Sequence, residues 1–303
     1  YIASGALWRL MQLRKGPVIA ALYPVGMLLL QLLIAVLAGK LLYTTLTFFG
    51  GPAWFKGIVA ALGVGLGWQV LRWFKKHDGK FYAYYLMHDY AFGAATRGAN
   101  PPALETRMTE FGDAIVQALK SDVDEVLVVG HSSGAHLGVS ILADLIRAGR
   151  VPAEGPKLAF MSLGQVVPMV SFLRDAHRLR ADLRYLSRCV GLTWIDVTAP
   201  GDGCAFALCD PVAVSGVAPE DKSWPLVFSA AFTQSLTPAR WKALRWRFFR
   251  LHFQYLCAFD APKDYDYFQI TAGPHSLAER YAGRPASRSR IVKPVNKFTS
   301  TAP

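Results

Sequence analysis

Paired cysteines, internal repeats and evenly spread charge are all missing from this 303-residue chain. Its four cysteines (Cys189, Cys204, Cys209 and Cys257) have no metal-type pairing, and no histidine cluster completes one. A disulfide scaffold and a zinc ribbon are thereby excluded, no metal or organic cofactor is expected, and free thiols in a reducing compartment are the expectation. Acids are scarce at both ends: residues 1–80 hold only Asp78 against nine Lys and Arg, and residues 280–303 hold none against six. The body between them carries 18 basic and 20 acidic groups, so the formal charge of +12 lies in the termini. A basic groove across a folded domain would look different, and nucleic acid is not an expected partner. Disorder is excluded as well, because 52% of the residues are hydrophobic and 13% aromatic.

Uncharged apolar sequence is abundant. Residues 17–39 contain no charge, and a second apolar stretch over 53–74 is broken only by Lys56 near its start. About 20 helical residues cross a hydrocarbon core of about 30 Å, and Gly50-Gly51-Pro52 marks a turn between the two. A cleaved signal peptide has a shorter apolar core and no second span behind it. The expectation is a membrane anchor over 1–80 formed by a two-helix transmembrane hairpin. Within it Gly63 and Gly67 predict a close helix–helix contact. Arg9, Arg14 and Lys15 precede the first span, and Arg72, Lys75, Lys76 and Lys80 follow the second. The positive-inside rule then places both ends, and the body, on the cytoplasmic side.

From residue 81 the pattern alternates between β-rich and helical runs. Strands are expected over 81–87, 125–129, 157–163, 192–198 and 265–271, with helices over about 102–120 and from Gly134 to about Gly149. Apolar residues from Phe172 to Val190, spaced three and four apart, predict an amphipathic helix. This is an α/β pattern: a small, mostly parallel sheet flanked by helices.

The most informative residues are 126–137, VLVVGHSSGAHL. An apolar strand runs into Gly130-His131-Ser132-Ser133-Gly134, which opens a helix, so G-x-S-x-G stands in the context its chemistry needs. A serine on a sharp strand-to-helix turn projects its hydroxyl above the sheet, and the next N–H, that of Ser133, lies at a helix N-terminus facing any developing oxyanion. Here the sequence resembles the α/β-hydrolase superfamily in its lipase and esterase branch, over residues 81–280. The resemblance implies the order nucleophile, acid, base. It places the base at His275, just after the last expected strand, and the acid at Asp202 in Gly201-Asp202-Gly203, with Asp196 and Asp210 as alternatives. It also implies a second oxyanion donor after the first strand, at His88 or Asp89, although the glycine usual there is absent.

Residues 205–262 exceed what a helix connection requires and read as an insertion or lid. Arg240, Lys242, Arg245, Arg247 and Arg250 alternate there with Trp241, Trp246, Phe248, Phe249, Phe253 and Tyr255. Such a segment suits an anionic lipid interface, a lid over an acyl pocket, or a contact with the hairpin. A second basic run, Arg174, Arg178, Arg180, Arg184 and Arg188, predicts either a solvated helix face or headgroup contact. The expected function is a membrane-anchored serine hydrolase acting on an ester of a lipid or other hydrophobic acyl substrate, with acyl transfer by the same residues an open variant. Its expected partners are membrane lipids, the acyl ester, and a membrane protein reached through the hairpin or the basic tail, 281–303. The rival reading is an inactive hydrolase-like accessory subunit of a membrane complex.

Overall fold

The computed structural model describes residues 1–303, which divide into two compact units: Ile19–Phe92, and Tyr1–Val18 with Gly93–Pro303. The opening helix, α1 (Ala6–Leu13), belongs to the larger unit. It buries Ala6, Leu10 and Leu13, Arg9 Nη1 donates to the Val295 carbonyl, and the following Arg14 Nε donates to that of Ala207.

The smaller unit is helical. α2 (Lys15–Leu46) and α3 (Ala53–Lys76), of 32 and 24 residues, are long and apolar enough to cross a membrane. Only 22% and 11% of their apolar windows are buried, so neither is a core helix of its own unit. Close contact replaces side chains between them: a Cβ on Gly63 would lie 2.8 Å from the Gly39 carbonyl oxygen, and one on Gly67 3.1 Å from that of Ala35. The strand expected over 81–87 does not form. The Asp78 carboxylate accepts the N–H groups of Tyr84 and Tyr85 at 3.0 and 2.9 Å, which starts a helix instead, so that α4 (Asp78–Phe81) is followed by α5 (Ala83–Ala95).

In the larger unit α6 (Pro102–Ala118) leads to β1 (Glu125–His131), α7 (Gly134–Arg147), β2 (Lys157–Leu163), α8 (Val167–Ser171), α9 (His177–Leu186), β3 (Leu192–Thr198), α10 (Pro211–Val214) and β4 (Leu226–Ser229). The four strands are parallel in the order β1-β2-β3-β4, which leaves β1 at an edge. Side chains alternate between two cores, as a sheet covered on both faces requires. Val126, Val128, Leu158, Phe160 and Trp194 pack against residues of α7 and α9. Leu127, Val129, Met161, Leu163, Ile195 and Val197 pack against the C-terminal segment. That segment runs through α11 (Phe232–Ser235), α12 (Pro238–Leu244), α13 (Phe248–His252), a 3-10 turn (Phe253–Leu256), α14 (Tyr267–Thr271) and α15 (Leu277–Arg280).

Three further expectations change. Residues 265–271 are not a strand, because the Asp266 side chain accepts from the N–H groups of Phe268 and Gln269 and caps α14. The stretch 205–262 is not wholly an insertion, since it contains the sheet strand β4. The basic run around α9 divides: Arg174, Arg184 and Arg188 are exposed, whereas Arg180 and Arg178 are tied into the body. Arg180 is fully buried and donates to the carbonyls of Ser171, Leu173, Arg174 and Ser300, while Arg178 pairs with Glu105 and Asp144. Ser300 belongs to the basic tail, which is bound along this chain's own body: Ile291 N–H donates to Leu208 O at 2.7 Å, and Asn296 Nδ2 to Ser171 O at 3.0 Å.

Candidate active site

Ser132 follows β1 immediately and has φ of +57°, the left-handed region that costs a non-glycine residue about 1–2 kcal/mol. The surroundings impose it. The Ser132 N–H continues the sheet ladder to Leu163 O at 2.9 Å, and Ala135 N–H already bonds back to Ser132 O as α7 begins. The turn is so tight that a Cβ on Gly130 would stand 2.6 Å from the Gly134 carbonyl oxygen. Gly134 differs, for a Cβ there would meet nothing within 4 Å, so its bareness leaves open room beside the serine. Ser133 is the N-cap residue of α7.

Asp202 lies in the turn after β3 and is buried. Its carboxylate accepts three hydrogen bonds: from Cys204 N–H at 2.9 Å, from His252 Nδ1 at 2.8 Å, and from the Tyr255 hydroxyl at 3.1 Å. Tyr255 itself accepts the Ala199 N–H at 2.8 Å, which aims its proton at Asp202, and burial raises its pKa well above the ordinary tyrosine value. With Nδ1–H donating a hydrogen bond to the carboxylate, the other ring nitrogen, Nε2, is left as the lone-pair acceptor, the tautomer a general base needs.

His252 is held at the C-terminal end of the sheet. The backbone carbonyl of His252 is 2.9 Å from His131 Nε2, and the two imidazole centroids are 4.6 Å apart. A carbonyl can only accept, so His131 carries its proton on Nε2. Burial, then the neighbouring His252, pushes the His131 pKa down to about 4, and the ring is neutral near pH 7. Beneath them Gly164, at φ +52°, directly follows β2. A Cβ there would be 2.7 Å from the Tyr255 ring and 3.1 Å from His252 Cε1, so only glycine admits both rings.

The geometry thus joins Asp202 and His252, sets His252 against His131, the residue before Ser132, at the ends of β1, β2 and β3, and leaves His275 out. His275 is exposed, and two residues beyond it the Leu277 N–H bonds the carboxylate of Glu125, the first residue of β1. Ser132 follows the last residue of that seven-residue strand, a separation of roughly 20 Å at about 3.3 Å per residue. His88 and Asp89 are likewise displaced as oxyanion donors. Both lie inside α5, where backbone N–H groups are committed to carbonyls one turn back, and no strand-end loop exists there. Of the alternative acids, Asp196 is buried in β3 accepting from Ser162 at 2.6 Å, and burial raises its pKa to about 8. Asp210 caps α10 and pairs with Lys222 at 2.7 Å. Neither touches a histidine.

Asp202, Cys204 and His252 also bring potential metal-donor atoms within 4.8 Å of one another. The 2.8 Å Asp–His bond already occupies the pair, and burial pushes the Cys204 thiol up to about 12, which keeps it protonated rather than the thiolate a metal requires. A proton relay fits these residues better.

No family model, curated protein or solved structure matches this chain. Sequence reasoning missed His252, Tyr255 and Gly164. The one signal available was that Gln254, His252 and Tyr255 are polar interruptions in a segment otherwise cationic and apolar.

Proposed function

We propose that this protein is a serine hydrolase of α/β-hydrolase type, anchored in a membrane, with Ser132 as nucleophile, His252 as base and Asp202 orienting it. The carrying observation is the buried Asp202–His252 pair at the same sheet end as a serine in left-handed backbone. His252 Nε2 takes the Ser132 proton as Oγ attacks an ester carbonyl, then returns it to the departing alcohol, leaving an acyl-serine that water cleaves. The Ser133 N–H, at the start of α7, stabilises the oxyanion, aided by the positive end of the helix dipole. Tyr255 steadies the Asp202 carboxylate.

The substrate we infer is a lipid or other hydrophobic acyl ester, which two membrane-length helices and exposed aromatics beside the base would suit. The charge distribution around the spans favours a cytoplasmic site. With an alcohol in place of water the same residues would perform acyl transfer. One observation favours a non-enzymatic accessory role: β1 is the edge strand, so no strand beyond it supplies a second oxyanion donor.

Fluorophosphonate labelling of the detergent-solubilised protein separates these readings. Wild type and His275→Ala should label, whereas Ser132→Ala and His252→Ala should not. An unlabelled but folded wild type would leave the accessory role standing.

A further inference from the structure

The segment that carries His252 also exposes aromatic and cationic side chains. Trp246, Phe248 and Phe253 are 72%, 51% and 41% exposed. Lys242, Arg245, Arg247 and Arg250 are exposed around them, and residues 238–253 contain no acid. Arg240 is paired, with Asp260, and Arg245 lies over the Trp246 ring at 5.5 Å.

These groups adjoin the site. A Cβ on Gly201 would lie 2.6 Å from the Trp241 ring and one on Gly203 3.5 Å from Phe248, so both glycines beside Asp202 exist in contact with the segment. The Phe253 ring is 4.9 Å from that of His131. Gly203 has a second neighbour: a Cβ on Gly16 would lie 3.0 Å from its carbonyl oxygen. Gly16 stands in the first turn of α2, and the charge-free run that could cross a bilayer begins at the next residue, Pro17. The turn that holds the relay acid is thus packed against both the cationic–aromatic segment and the root of a membrane-length helix.

We propose that residues 238–253 dock on an anionic lipid surface, aromatic rings in the interface and arginines on the headgroup phosphates, so that substrate reaches Ser132 from the bilayer and not from water. Charge complementarity and continuity with α2 select the membrane over a protein or RNA partner. The access route rests on the serine-hydrolase reading, while the docking does not.

The test uses the full chain in nanodiscs of phosphatidylcholine alone or with phosphatidylglycerol. Hydrogen exchange over 238–253 should slow in the anionic discs, and cleavage of a disc-embedded long-chain ester should rise about tenfold or more, since each cation near such a surface contributes about fivefold. The Arg245→Glu/Arg247→Glu/Arg250→Glu variant should lose both effects but keep its fluorophosphonate labelling rate. Should that variant misfold, 1 M salt on wild type substitutes for it, because the screening length falls to about 3 Å and the difference between discs should vanish. Equal exchange and equal cleavage in both discs, with Ser132 still labelled, overturns the docking and leaves the hydrolase intact. Lipid-dependent exchange without any labelling overturns the hydrolase and leaves the docking.

Discussion

The two ends of β1 each have a histidine nearby, and the two differ in the partners and burial that a general base would need. At the C-terminal end His252 is buried, hydrogen-bonded to a carboxylate, and fixed through its backbone carbonyl by His131. At the N-terminal end His275 is exposed, in a turn tied down by the Leu277–Glu125 bond and the Ser276–Glu279 capping box. Both follow Ser132 and Asp202 in the chain, so their order does not distinguish them. A base needs a partner that fixes its tautomer and an orientation that survives thermal motion, and both are supplied at one end only.

The largest expected effect tests this contrast directly. His252→Ala should lower ester turnover by about 10⁴-fold or more, as loss of a base in a serine relay does, while His275→Ala stays within about twofold of wild type. A reversal of those two results would put the site at the wrong end of the strand. Asp202→Asn follows at roughly 10³–10⁴-fold, because an amide in place of the carboxylate can donate to Nδ1 and favour the wrong tautomer. KM should change little in that variant, and a purely folding defect would instead lower the amount of labellable enzyme.

Why one end was legible and the other was not follows from the range of the interactions. The elbow is local: an apolar run, a glycine, a serine and a helix start are contiguous, and Gly130 is demanded by atoms only four residues away. β2 and β3 fall on the predicted residues because their apolar and β-branched side chains suit strands buried on both faces. His252 is brought to His131, beside Ser132, from 121 positions away, inside a run whose cations and aromatics dominate its appearance. The strand expected before His275 gave way to one capping residue. Residues 265–271 have strand composition, but Asp266 captures two N–H groups and turns them into α14, just as Asp78 does for α5. The cost of a lost ladder is small for a peripheral segment, so a single side chain can reverse propensity. β4, at four residues, is too short to give a period.

A smaller effect sharpens the contrast by loosening the His252 end without removing it. Tyr255→Phe deletes the hydroxyl that bridges Ala199 N–H and Asp202, leaving a buried donor unpaired at a cost of about 1–3 kcal/mol. Turnover should fall by roughly tenfold, with a lower unfolding temperature. Gly164→Ala should do more harm to folding than to binding, since its Cβ would stand 2.7 Å from the Tyr255 ring and its φ is left-handed. Activity surviving unchanged in Tyr255→Phe would reduce that tyrosine to a packing residue.

The smallest effect concerns acid sensitivity at the same strand end. His136, within the first turn of α7, has a buried Nδ1 without a hydrogen-bond partner, and burial lowers its pKa from 6.5 to about 4. His131 is lowered likewise. Between those values the unfolded chain binds protons that the native state excludes, so native stability is full above about pH 6.5 and declines as pH falls toward 4. For His136 the loss is on the order of 2 kcal/mol, below the full shift because part of the ring is accessible. Unfolding temperatures of the solubilised protein from pH 7 to 4 should therefore decline less steeply in His136→Phe, which keeps the ring volume and cannot titrate, than in wild type. Parallel curves for wild type and His136→Phe would mean that the ring near the elbow is solvated after all, and with it the open space beside Gly134.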